Sequence, residues 1–120
     1  MAKNEIIPIH NSMDIIAARM VVRDTARQFG LRLMDQSCIS LATSSIASAM
    51  GMGVESDDEG QILIECLQAG SRKGLRVSCS RYMTKEEDMP LLNHSRSMVD
   101  EFEVKKDPPR FTVVLTKWAG

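Results

Sequence analysis

Apolar and polar positions change their period several times along this chain, and each change predicts an element. Glu5–His10 alternates weakly and ends in Pro8-Ile9-His10. That pattern suits an edge strand, where a residue lacking an N–H is tolerated. Asn11 or Ser12 can cap a following helix, and Asp14 favours its first turn through the helix dipole. The helix runs to about Phe29 and stops at Gly30, a residue suited to a left-handed terminal position. Asp35 can cap a second helix over roughly Gln36–Met50, ended by Gly51 and Gly53. The polar stretch Glu55–Gly60 reads as an exposed loop. Gln61–Ala69 is an apolar run, and Leu75–Ser80 alternates strictly, with Gly70–Gly74 as a short polar turn between them. The pair predicts a hairpin. Pro90 suits the first turn of a third helix, with Leu91, Met98 and Phe102 spaced for one face. Glu103–Lys106 and Phe111–Trp118 predict a second hairpin around Asp107–Arg110. The expected order is β-α-α-β-β-α-β-β. It closes as a two-layer α/β (α+β) sandwich: a mixed, mostly antiparallel sheet of about five strands with three helices on one face.

The first helix has two distinct sides at about 100° per residue. Ile15, Ala18, Val22, Ala26 and Phe29 form a core stripe. Arg19, Arg23 and Arg27 follow one another along another side, with Ile16 and Met20 among them. Arg and Met framing an apolar centre is a composition enriched at protein interfaces. The plainer reading is that a second layer of the same chain covers Ile16 and Met20 and water covers the arginines. The second helix carries no charge between Gln36 and Met50. Ile39, Ala42, Ile46 and Met50 make its buried stripe. Ser37, Ser40, Ser44 and Ser48 line the other side, where a solvent-facing helix normally shows Lys and Glu. That serine side suggests partial burial, by a neighbouring helix, a partner or a twin subunit.

Composition narrows the function classes. A chain of 120 residues suits one domain, residues 1–120, with a core of its own. The net charge of −1 gives no reason to expect nucleic acid or acidic lipid as a partner. The uncharged run Gln36–Val54 is too rich in Ser, Gly and Ala to span a membrane, and the N-terminus lacks the apolar core of a signal peptide. The expectation is a cytoplasmic protein. Cys38, Cys66 and Cys79 are odd in number and scattered, which argues for free thiols. No CxxC or paired-histidine spacing supports a metal. His10 and His94 stand in no nucleophile motif. The acids Glu86, Glu87 and Asp88 lack the loop that binds calcium.

Five patches in register carry a resemblance: Met13–Met20, Asp35-Gln36, Lys73–Val77, Met98–Phe102 and Thr116-Lys117-Trp118. Together they resemble the anti-sigma-factor serine kinases of bacterial partner switching, within the GHKL superfamily. The likeness is greatest to the switch-type kinases that act on STAS-domain proteins. The resemblance implies a histidine-kinase-like ATPase fold, and the element order above agrees with it. It also implies positions where this chain departs from the family. A Glu that positions the attacking group falls at Ser45. A magnesium-holding Asn falls at Ala49. An Asp that reads the adenine amine falls at about Arg81. Alanine cannot hold magnesium, and serine substitutes poorly for a carboxylate. The connector Arg81–Met89 has no glycine, so the lid of the family is deleted and no backbone nest is offered to a phosphate. Phosphoryl transfer rests on positioning and metal charge, so losing these groups together should abolish it. The expectation is that no cofactor, no nucleotide and no metal is bound, and that Ser45, Ala49 and Arg81 are vestigial.

What the resemblance does carry over is a docking role for Arg19, which falls on the Arg/Ile/Met side found from spacing alone. The expected protein-binding residues are Arg19, Arg23, Ile16 and Met20. Three functions are consistent with this. One is a non-catalytic regulator, a pseudokinase that docks on a STAS-domain protein, a PP2C-type phosphatase or a sigma factor. Another is an ATP-dependent serine/threonine kinase with an unorthodox pocket. The third is a homodimeric structural subunit whose old pocket side, lined by the uncharged helix, has become the interface.

Overall fold

The computed structural model describes residues 4–53, 60–82 and 95–119. In chain order the elements are β1 (Glu5–Ile9), α1 (Ser12–Gln28), α2 (Leu33–Ala49), β2 (Gly60–Ala69), β3 (Arg72–Tyr82), β4 (Glu101–Asp107) and β5 (Arg110–Trp118). One five-stranded sheet runs in the order β1-β2-β3-β5-β4, and every neighbouring pair is antiparallel. The sheet is therefore not mixed, because hairpins join β2 to β3 and β4 to β5.

Register decides which side each strand buries. Ile64, Val77 and Leu115 lie in one row across β2, β3 and β5, and Ile62, Cys79 and Val113 in the next. All six are buried. Ile15, Ala18, Val22 and Ala26 of α1 and Ile39, Ala42 and Ile46 of α2 pack on the same core. Both helices thus lie on one side of the sheet, as the two stripes predict. Burial pushes the Cys79 thiol from 9.0 up to about 12, because a thiolate cannot be solvated there.

The ends of α1 follow its sequence. Asn11 Oδ1 accepts the Asp14 N–H at 3.1 Å, and Asp14 Oδ2 accepts the N–H groups of Asn11 and His10. This reciprocal capping box satisfies donors that the helix leaves open. At the other end Gly30 takes φ 96°, and Leu31 N–H donates to Ala26 O at 2.9 Å.

α2 departs from expectation at its start. Its cap is Arg32, without a side-chain capping bond, and Asp35 sits inside the first turn. Asp35 is buried there and pairs with Lys117 Nζ at 3.8 Å, while its second oxygen has no hydrogen-bond partner. A tertiary charge from β5 holds it, in place of local capping. Nor do the four serines of α2 share a surface: Ser40 is buried with its hydroxyl on Ser37 O, Ser44 is half-buried, and Ser37 and Ser48 are exposed.

The expected third helix is not borne out at its C-terminal end. Ser95–Met98 makes a single 3₁₀ turn, and Phe102 belongs to β4, opposite Leu115. Two α-helices, in place of three, occupy the described residues. The spacing Met98–Phe102 misled because a step of four suits both a helix face and one side of a strand. Asp100 fixes the strand entry: its N–H donates to Thr116 O, and its Oδ2 accepts Trp118 N–H at 2.7 Å. The proposed start at Pro90 and the connector beyond Tyr82 lie outside the described residues, as does most of the Glu55–Gly60 loop.

Candidate protein-docking site

α1 presents to solvent the side its spacing picks out. Arg19, Arg23 and Arg27 are exposed. Ile16 is 52% and Met20 62% exposed, and Met13, one turn before Ile16, is also open. No described part of the chain covers Ile16 or Met20, so the intramolecular explanation for their apolarity lacks a covering layer among the described residues. Asp24 pairs with Arg27 at 3.5 Å. The arrangement is a cationic rim around an apolar strip, anchored below by the buried Ile15–Ala18–Val22 stripe. Two chemical capabilities follow. Guanidinium forks suit carboxylates, and Ile16 and Met20 suit apolar side chains.

The exposed part of α2 is also apolar. Leu33 is 66% and Met34 73% exposed, and Leu41 follows on the same stripe. Sequence reasoning did not single out these three, nor Met13. The available signals were the step of seven between Met34 and Leu41 in a helix without charge, and the 13-16-20 spacing in α1.

Ser45 and Ala49 lie half-buried on α2 one turn apart, and Arg81 leaves the end of β3 toward the same helix. Its Nη1 donates to Met50 O at 2.6 Å. The last turn of α2 has no basic residue of its own, so a side chain 31 residues away supplies the cation that a helix C-terminus favours. Gly51 makes room for it. That residue has φ 71°, and a Cβ there would stand 2.7 Å from Arg81 Nη1. At Gly53, with φ 81°, a Cβ would stand 2.8 Å from the Asn11 carbonyl carbon. The turn after α2 is thus wedged between the guanidinium and the cap of α1. The sequence reading marks Arg81 only as a departure; its clamping role needs the fold.

The opposite side of the sheet is a shallow polar concavity of about 510 Å³, floored by Ser78, Ser80, Thr112 and Thr116. It is remote from α2, and Ser45, Ala49 and Arg81 do not line it. Among the described residues no three His, Cys, Asp or Glu side chains gather in a way that could hold a metal ion. No helix there is long and apolar enough to cross a membrane.

No family model and no curated protein matches this chain. A solved structure does. It is the crystal structure of the RsbU and RsbW domains of Rv1364c from Mycobacterium tuberculosis, with a TM-score of 0.72 and 18% sequence identity. The match covers 98% of this chain and 32% of that one. This chain therefore spans about a third of its neighbour's length. The shared property is the fold, a two-layer α+β domain, over nearly all of this chain.

Proposed function

We propose that the protein is a non-catalytic protein-binding regulator, a pseudokinase of a bacterial partner-switching pathway. It docks on a STAS-domain protein, a PP2C-type phosphatase or a sigma factor, in the cytoplasm, through Arg19, Arg23, Ile16 and Met20. The observation that carries this reading is the open Arg/Ile/Met side of α1. Its fold-level support is the likeness to a structure holding an RsbW domain. The residues at the vestigial positions fit neither ATP nor magnesium. Ala49 offers no donor atom, and Arg81 places a cation on Met50 O where the resemblance expects an adenine-reading carboxylate.

Two measurements test the reading. Calorimetry with ATP and magnesium should give no heat of binding in the micromolar range. Saturable binding there would favour the kinase alternative. Pull-downs against STAS-domain proteins, PP2C-type phosphatases and sigma factors of the same cell should capture one of them. Arg19→Ala should then weaken capture by about 2 kcal/mol if the guanidinium is a central anchor. A folded Arg19→Ala variant that binds every candidate as wild type does would remove α1 from the interface.

A further inference from the structure

The side of the sheet that faces away from the helices carries the concavity of about 510 Å³, and strand register sorts its lining into rows. Gln61, Ser80, Thr112 and Lys105 stand across β2, β3, β5 and β4 in the first row. Arg110 borders that row, two residues before Thr112 on the same side of β5. Leu63, Ser78, Val114 and Glu103 form the second row. Glu65, Arg76, Thr116 and Glu101 form the third. Alternate residues of a strand lie about 7 Å apart, so the rows together span roughly 13 Å.

Charge is unevenly spread over these rows. Lys105 and Arg110 give the first row its cations, and no acid of the lining stands in it; Glu65, Glu101 and Glu103 all belong to the other rows. Arg110 is preset for an anion. Its Nη2 donates to Ser80 Oγ at 2.9 Å, and its guanidinium stacks over the Tyr82 ring at 5.5 Å. Ser80 is only 5% exposed, so the hydroxyl that holds the fork is part of a buried floor. Asp107 lies across from Arg110, but it does not line the concavity and makes no ion pair with it. A held guanidinium beside an ammonium and a hydroxyl suits an oxyanion. The second row has a different chemistry. Leu63 and Val114 bring C–H surface there, beside the Ser78 hydroxyl and the Glu103 carboxylate. That combination suits a ring with a C–H side and hydroxyls at its rim. In the third row Glu65 and Glu101 outweigh Arg76, which disfavours a second anionic group.

We propose that this side of the sheet binds a small sugar phosphate, a phosphate monoester on a hydroxylated ring. The phosphate sits between Arg110 and Lys105, and the Thr112 hydroxyl and Gln61 amide donate to it. The ring lies over Val114, with Ser78 and Glu103 on its hydroxyls. Glu65 and Glu101 select against ligands that carry a second anionic group at the far end. The concavity is shallow, so affinity lies in the millimolar to high-micromolar range. This inference is independent of the docking role of α1, and it concerns the opposite side of the sheet from Ser45 and Ala49.

Amide NMR titration of the full chain at fixed ionic strength tests it, with circular dichroism as the check on folding. The probes are glucose-6-phosphate, inorganic phosphate, glucose and fructose bisphosphate. Glucose-6-phosphate should give saturable shifts around Ser80, Thr112 and Lys105. It should bind about tenfold more tightly than inorganic phosphate, glucose should give no shifts, and the bisphosphate should bind no more tightly than the monophosphate. Lys105→Gln changes an exposed side chain and should weaken glucose-6-phosphate about tenfold with the fold intact. Glu103→Gln should reduce the preference for the sugar phosphate over free phosphate without weakening free phosphate. Equal affinity for the two would mean an adventitious ion only, and overturns the proposal. So does the absence of saturable shifts, or shifts that map to Arg19, Arg23 and Arg27 of α1. A folded Lys105→Gln variant that binds as wild type does overturns it as well.

Discussion

Arg81 shows how one side chain from a distant strand can close a fold locally. Its guanidinium sits on Met50 O and against Gly51. A charge-assisted bond of this kind contributes about 1.5–3 kcal/mol, and a cation at a helix C-terminus adds a few tenths or more. Arg81→Ala should therefore destabilise the protein by about 2 kcal/mol in urea titration. Gly51→Ala should cost at least about 1 kcal/mol, since a left-handed φ disfavours any Cβ. In the double variant the close approach to Nη1 disappears while the φ cost stays. The two changes should thus be less than additive, and a strictly additive cycle would show that Gly51 does not sense Arg81. Cys79 gives a second residue-scale expectation. Its pKa is raised on folding, so the unfolded chain loses the proton first. The neutral thiol's contribution is complete below pH 9.0 and is lost as pH rises toward about 12. Stability measured against pH should fall less steeply across that window in Cys79→Val than in wild type. Alkylation at mild pH should label Cys38 and Cys66, which are half-buried, well before Cys79.

At the scale of the element, local rules wrote α1 and tertiary forces wrote α2. α1 has a complete capping box, a glycine terminus and an apolar stripe in phase, so its bounds are legible from sequence to within a residue or two. Asn11→Ala should cost about 1 kcal/mol by removing the cap. Val22→Asp should leave the chain unfolded, because it places an unpaired carboxylate in a fully buried site, at a cost of several kcal/mol. Circular dichroism separates the two outcomes. α2 is capped three residues earlier than its best local cap, at Arg32 in place of Asp35, and Asp35 is engaged by Lys117 from β5. The C-terminal end expected for a third helix fails for the same reason. Phe102 is committed to β4 by its pairing with Leu115, which no local pattern reports.

At the scale of the whole molecule, the antiparallel order β1-β2-β3-β5-β4 places β3 and β5 inside and β1 and β4 at the edges. Opening free energy should follow that order. Hydrogen exchange should be slowest in β3 and β5, which bury the Val77 and Leu115 rows, and fastest in the edge strands β1 and β4. Equal protection of β4 and β5 would contradict the edge assignment.

The sequence by itself determined the elements that carry their own punctuation: the capped first helix, the two hairpins, the core stripes of both helices and the Arg19/Ile16/Met20 side. These depend on residues within a few positions of one another, so a one-dimensional pattern holds the information. Only the tertiary structure decided that Phe102 joins a strand, that Asp35 is buried against Lys117, and that Arg81 reaches the end of α2. It alone put Leu33, Met34 and Leu41 in solvent and left β4 as the open edge. Each of those depends on which distant segment packs beside it, and burial, pairing and charge compensation exist only once the layers meet.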